Sequence, residues 1–156
     1  MIVTTYKKLG LIDKKLLNAA EKAMGRSYAP YSKFHVGAAL LIQGGEIITG
    51  VNIENSSYGL TLCAERSALS NAVSSEKRNF EKIAIICKGD TIDVEEPSMP
   101  CGACRQWISE FSQLSGNDIE IISSNTKKTK IKKAKISELL PEPFGPNNLD
   151  VTVSED

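Results

Sequence analysis

Apolar positions along the chain fall into two rhythms. Ile12, Leu16, Leu17, Ala20, Ala23 and Met24 recur at helical spacing and predict an amphipathic helix over 11–26. Tyr28-Ala-Pro-Tyr-Ser32 ends it, because Pro30 disfavours helical backbone at the residue before it. Residues 34–42 and 46–51 read as two strands joined by Gly44-Gly45, a two-residue hairpin turn. After a polar loop over 52–61, Ala64, Ala68, Leu69, Ala72 and Val73 mark a helix over 63–75 with a small-residue face. Ile-Ala-Ile-Ile-Cys at 83–87 is an uninterrupted apolar run, the pattern of a strand buried on both faces. An acidic loop follows, carrying Asp90, Asp93, Glu95 and Glu96, and then a helix from about 101 to 113 that packs through Trp107, Ile108 and Phe111. Residues 119–122 predict a further strand, 130–135 a short edge strand, 136–140 a brief helix and 141–146 a rigid Pro-rich segment. The order α-β-β-α-β-α-β-β predicts an α/β fold, a sheet flanked by helices.

Length and charge narrow the function. A chain of 156 residues suits a single domain over 1–156, able to bury about 70% of its unfolded surface. Lys plus Arg and Asp plus Glu number 19 each, so no net field favours nucleic acid or an anionic membrane. Lys127, Lys128, Lys130, Lys132, Lys133 and Lys135 form the one basic cluster. It lacks the interleaved aromatics of a single-strand RNA strip and reads instead as a solvated edge guarded against pairing. The longest apolar run, over 36–42, is far short of the roughly 20 residues of a membrane span. Residues 1–10 do not read as a secretory leader, so the expected location is cytoplasmic, where thiols stay reduced.

Four cysteines in that setting ask for a task. Cys101 and Cys104 lie three apart in the first turn of a predicted helix and can aim both sulfurs at one point. Cys63 opens another helix and could add a third. Three protein ligands leave a tetrahedral fourth position for water, the mark of a catalytic rather than a closed structural zinc. A structural site would need a fourth ligand, and neither Cys87, mid-strand, nor His35, on another strand, is obviously placed to give one. Cys87 reads as a small buried hydrophobe, and His35 as pointing away from the pocket. A lone Cys-x-x-Cys also fits a redox pair, but Cys-x-Glu with Pro-Cys-x-x-Cys, each opening a helix, is more specific. Glu65 stands where a proton shuttle is needed, and Arg66 and Arg105 can offset the excess negative charge of three thiolates.

The chain resembles the small, homotetrameric, three-cysteine zinc cytidine deaminases. The resemblance runs through Tyr28-Ala-Pro-Tyr-Ser-Lys-Phe34, Val36-Gly-Ala-Ala-Leu40, Gly50-Val-Asn-Ile-Glu-Asn55 and Tyr58. It continues through Cys63-Ala-Glu-Arg66, Pro100-Cys-Gly-Ala-Cys-Arg-Gln106, Leu139-Leu-Pro141 and Phe144. It implies a three-layer α-β-α fold with a five-stranded mixed sheet and one zinc ion per subunit on Cys63, Cys101 and Cys104, with Glu65 catalytic. It implies that Asn52 and Glu54 hold the ribose 3′-hydroxyl, that Phe34 and Ala64 lie against the substrate, and that Tyr58 and Phe144 reach a neighbouring subunit's pocket. The implied reaction is hydrolytic deamination of cytidine and deoxycytidine to the uridine nucleosides, a step of pyrimidine salvage. The chain departs from the pattern in a long acidic loop over 88–99 and in a tail over 150–156 with no motif to align.

Two other functions compete. A deaminase of the same fold could act on an aminopyrimidine antibiotic or on a base within RNA. Asn52 and Glu54 argue against the polymer, which would block a free sugar hydroxyl. A zinc-stapled interaction domain without catalysis would have no use for an unligated Glu65 beside the metal.

Overall fold

The structure is a computed structural model and describes residues 1–151, so most of the unmatched tail lies outside the described residues. Strand β1 (Ile2–Thr4) is followed by α1 (Leu11–Met24), β2 (Phe34–Ile42), β3 (Ile47–Val51), α2 (Ala64–Ser74) and β4 (Phe80–Gly89). Then come α3 (Gly102–Ser115), β5 (Glu120–Ser124), β6 (Ile131–Lys135) and α4 (Ile136–Leu139). The six strands form one sheet in the order β1-β6-β5-β4-β2-β3. Only β4 and β5 run parallel, joined across α3, and the other pairings are antiparallel.

Side-chain alternation along the strands divides the core in two. Ala38, Leu40, Ile42, Ile83, Ile85 and Ile121 face α2 and α3, while Ala39, Leu41, Ala84, Ile86 and Ile122 face Leu16, Leu17 and Ala20 of α1. The central strand β4 is thus covered on both faces, as its unbroken apolar run requires. Two glycines let the helices approach. A Cβ on Gly37 would strike the α1 backbone at Ala20, and one on Gly50 would strike the α2 backbone at Ala64 and Ala68. Gly44 and Gly45 take φ of 99° and 94° in the β2–β3 turn, backbone that only glycine adopts freely.

The expected five-stranded sheet is corrected to six. β1 pairs antiparallel with β6 through Ile2–Lys133, Val3–Lys132 and Thr4–Ile131. Its three residues are too few for a period to register, and Ile2 and Val3 remain exposed. The same pairing overturns the reading of β6 as an edge, since β6 lies between β5 and β1. Its lysines are not freely solvated either. Lys133 and Lys82 converge on buried Asp13 at 2.8 and 2.7 Å, and both also reach Glu120. Trp107 is corrected too: it is 40% exposed, and Phe111 alone of the two packs inward, edge-on to Phe80 at 5.0 Å. No helix among the described residues is long and apolar enough to cross a membrane.

Candidate metal centre and active site

Two helix starts build the site. Cys63 and Cys101 are the N-cap residues of α2 and α3, each with extended backbone, so each sulfur stands at the positive end of a helix. Cys104, one turn into α3, is fully buried. The three sulfurs lie within 4.8 Å of one another, with Cys101 and Cys104 Sγ 3.6 Å apart. Sulfurs about 2.3 Å from a tetrahedral zinc stand about 3.8 Å apart, so the donor set fits that ion. Arg66 donates from Nη2 to the Thr61 carbonyl at 3.1 Å and to Cys63 Sγ at 3.6 Å. Its Nε is buried and has no hydrogen-bond partner among the described residues, a donor left over on the guanidinium that reaches Cys63. The Cys104 thiol and then Arg66, acting against burial, bring the Cys63 thiol down to about 5, while Cys104, donor in that pair and buried, is pushed up.

Glu65 follows in the first turn of α2 and is 6% exposed. Burial, reinforced by the Cys63 charge, raises its carboxyl above the ordinary range. It makes no ion pair among the described residues. A cavity of about 480 Å³ opens onto Glu65, Cys63 and Cys101. Ala64, Phe34, Asn52 and Glu54 also line it. Asn52 is buried and ties the chain to β2, accepting from the Val36 amide at 2.9 Å and donating to the Phe34 carbonyl at 2.8 Å. One further hydrogen-bond position remains on each end of its amide. Glu54 accepts from the amides of Tyr31 and Ser32 at 2.9 and 3.2 Å. The Ser32 hydroxyl and these amides hold its carboxyl below the usual range.

Other expected residues lie elsewhere. Arg105 bonds the carbonyls of Pro100 and Leu139 at 2.8 and 3.1 Å, so it braces the turn before Cys101 rather than a sulfur. Tyr58 is 73% exposed and borders an adjoining cleft of about 220 Å³, its ring 5.6 Å from that of Tyr31. Phe144 is 65% exposed and lines neither space, its carbonyl held by Gln106 at 2.7 Å. His35 bonds Ser27 and, at 2.8 Å, Asp90, outside the cavity. Cys87 is buried, and burial raises its thiol, yet it borders the cavity together with Val36, Ile85, Ser98 and Met99. None of these five wall residues was expected there from the sequence. Alternation along β2 and β4 carries a signal for Val36, Ile85 and Cys87, but none exists for Ser98 and Met99.

Comparison with known proteins agrees with this geometry. Residues 12–115 match the family model described as "Cytidine and deoxycytidylate deaminase zinc-binding region". A cytidine deaminase of Sporosarcina psychrophila is 42% identical over 91% of this chain and 98% of its own. One from Halalkalibacterium halodurans is 43% identical over 83% of this chain and 91% of its own. The crystal structure of cytidine deaminase from Burkholderia pseudomallei superposes with a TM-score of 0.74 at 39% identity, covering 84% of this chain and 98% of that one. The family-model match over two thirds of the chain, together with relatives 42% and 43% identical along most of their length, shows that the chain belongs to the cytidine and deoxycytidylate deaminase zinc-binding family.

Proposed function

We propose that this protein is a zinc-dependent cytidine deaminase that hydrolyses cytidine and deoxycytidine to uridine and deoxyuridine, releasing ammonia. The observation that carries the reading is Glu65, a buried carboxyl with no ion-pair partner among the described residues, lining the cavity together with Cys63 and Cys101 of the three convergent sulfurs. Cys63, Cys101 and Cys104 would hold one zinc ion. Bound there, zinc supplies the Lewis acidity that makes a water molecule nucleophilic at neutral pH. The Glu65 carboxylate takes a proton from the attacking water and delivers it to N3 of the ring. The C4–O bond forms as that proton reaches N3. Glu65 then takes the second proton from the new C4 hydroxyl and passes it to the exocyclic amine, so that the exocyclic C4–N bond breaks, ammonia leaves and a C4 carbonyl remains. Phe34 offers an apolar wall to the base, and Ala64, with no side chain beyond Cβ, leaves room for it. Asn52 and Glu54 offer a donor and acceptors to a sugar hydroxyl. Arg66 balances the sulfur charge, and Arg105 fixes the Pro100 carbonyl beside Cys101.

The same reading includes one catalytic domain per chain, a cytoplasmic location and a homotetramer in which Tyr58 and Phe144 serve a neighbouring subunit. The exposure of both aromatic rings supports the assembly. The test is absorbance loss with cytidine, deoxycytidine, cytosine, CMP and a cytidine-containing oligonucleotide offered separately. Turnover of the two nucleosides is expected. Turnover of the oligonucleotide alone, or of the free base alone, would overturn the assignment.

A further inference from the structure

The acidic loop and the lysine-rich hairpin, the two features with no part in the chemistry above, are bound to each other. Asp93 pairs with Lys127 at 2.9 Å, and Glu96 pairs with both Lys130 and, at 3.2 Å, Lys132. Inside these pairs lies a set of hydroxyl contacts. The Thr126 amide donates to the Val94 carbonyl at 3.1 Å, and the Val94 amide donates to Thr126 Oγ1 at 2.9 Å. Thr126 Oγ1 in turn donates to the Cys87 carbonyl at 2.8 Å, joining the loop to the end of β4. Ser123, 1% exposed on β5, donates from Oγ to the Ser98 carbonyl at 2.7 Å. Ser98 and Met99 then form the loop's share of the cavity wall, and Cys101 follows two residues later.

We propose that Thr126 and Ser123 are positioning residues whose hydroxyls hold the loop against β5, fixing the Ser98–Met99 wall and the approach to Cys101. The inference rests on reading the cavity as the nucleoside site. Magnitudes separate the hydroxyls from the ion pairs. Exposed pairs such as Asp93–Lys127 contribute little each, whereas removing a hydroxyl leaves partners with no replacement inside the fold. The loop's net negative charge and the hairpin's positive charge choose the docking partner, and the hydroxyls set the distance. Glu96→Gln should accordingly change KM less than twofold.

The test compares Thr126→Val, which keeps shape but loses the hydroxyl, with Thr126→Ser, which restores it, and adds Ser123→Ala. The valine and alanine variants should raise KM for cytidine about five- to tenfold, with kcat within twofold of the parent. Hydrogen exchange at the amides of Gly89 and residue 126, which donate to the loop carbonyls of Ile92 and Val94 at 3.1 Å, should quicken by a similar factor, and Thr126→Ser should behave as the parent. Unchanged exchange in both hydroxyl-less variants overturns the positioning, even if their melting temperatures fall. Faster exchange with unchanged KM overturns the link to the cavity. If the parent turns over no cytidine, the functional reading fails by itself, and the exchange measurement still decides whether the hydroxyls hold the wall.

Discussion

Glu65 is held in surroundings that suit its proposed work. Burial at the start of α2 favours its neutral form, and the neighbouring Cys63 charge pushes the same way. A carboxyl so placed gains and loses a proton at modest cost, as a shuttle must. Glu65→Gln keeps the volume and the hydrogen-bonding edge but cannot carry the proton. The expected result is unchanged zinc content by metal analysis, with kcat lower by about 10²- to 10⁴-fold. Loss of zinc, or turnover near the parent's, would count against the role. The convergence of Cys63, Cys101 and Cys104 could be read in advance, because each sits at or within the first turn of a helix whose start is fixed by local sequence. Arg105 could not be placed in the same way. Its guanidinium direction depends on where Leu139 packs, 34 residues further along.

Among the elements, α1 is anchored to the sheet by charge as well as by its apolar face. Asp13 is 4% exposed, and its carboxylate meets Lys82 from β4 and Lys133 from β6. Burial by itself would raise its pKa, but hydrogen bonds from Lys133 and Lys82 outweigh it and hold the carboxyl below the usual range. A depressed carboxyl stabilises the fold above its unfolded pKa of about 3.9, and that contribution is lost as pH falls through the folded value. Asp13→Asn should cost about 2–3 kcal/mol at pH 7, because both lysines then lean on Glu120 alone. In urea titrations the deficit should shrink below pH 4. A deficit that stays constant down to pH 3 would show that lost packing, not charge, is responsible. None of this network was visible in the sequence. Asp13, Lys82, Glu120 and Lys133 belong to four separate elements, and only the sheet order brings them together. The elements rich in periodic apolar residues, such as α1 and β2, were legible within a residue or two. Strand β1 was not, since it depends on pairing with β6 rather than on a pattern of its own.

The whole molecule leaves large apolar side chains in solvent close to the proposed site and at the far end of the chain. Tyr58 and Leu60 are 73% and 71% exposed in the segment between β3 and α2, and Phe144 and Leu149 are 65% and 62% exposed after α4. An exposure this high means that Phe144 is no packing anchor within its own chain. Its backbone is nevertheless fixed, through Gln106 and the turn at Gly145, so the ring is presented rather than loose. A rigid aromatic group held outward suits burial against another copy, where covering a phenyl ring stabilises by about 1.5–3 kcal/mol. Light scattering should therefore give four times the mass of one chain for the parent. Phe144→Ala should either lower that mass at micromolar concentration or leave a tetramer whose KM for cytidine is about ten- to a hundredfold higher. The first outcome would make the ring an assembly contact, and the second would make it a wall of the neighbour's cavity. A parent that is active as a monomer would end the proposal that sites are completed across subunits, as would a variant with unchanged mass and KM.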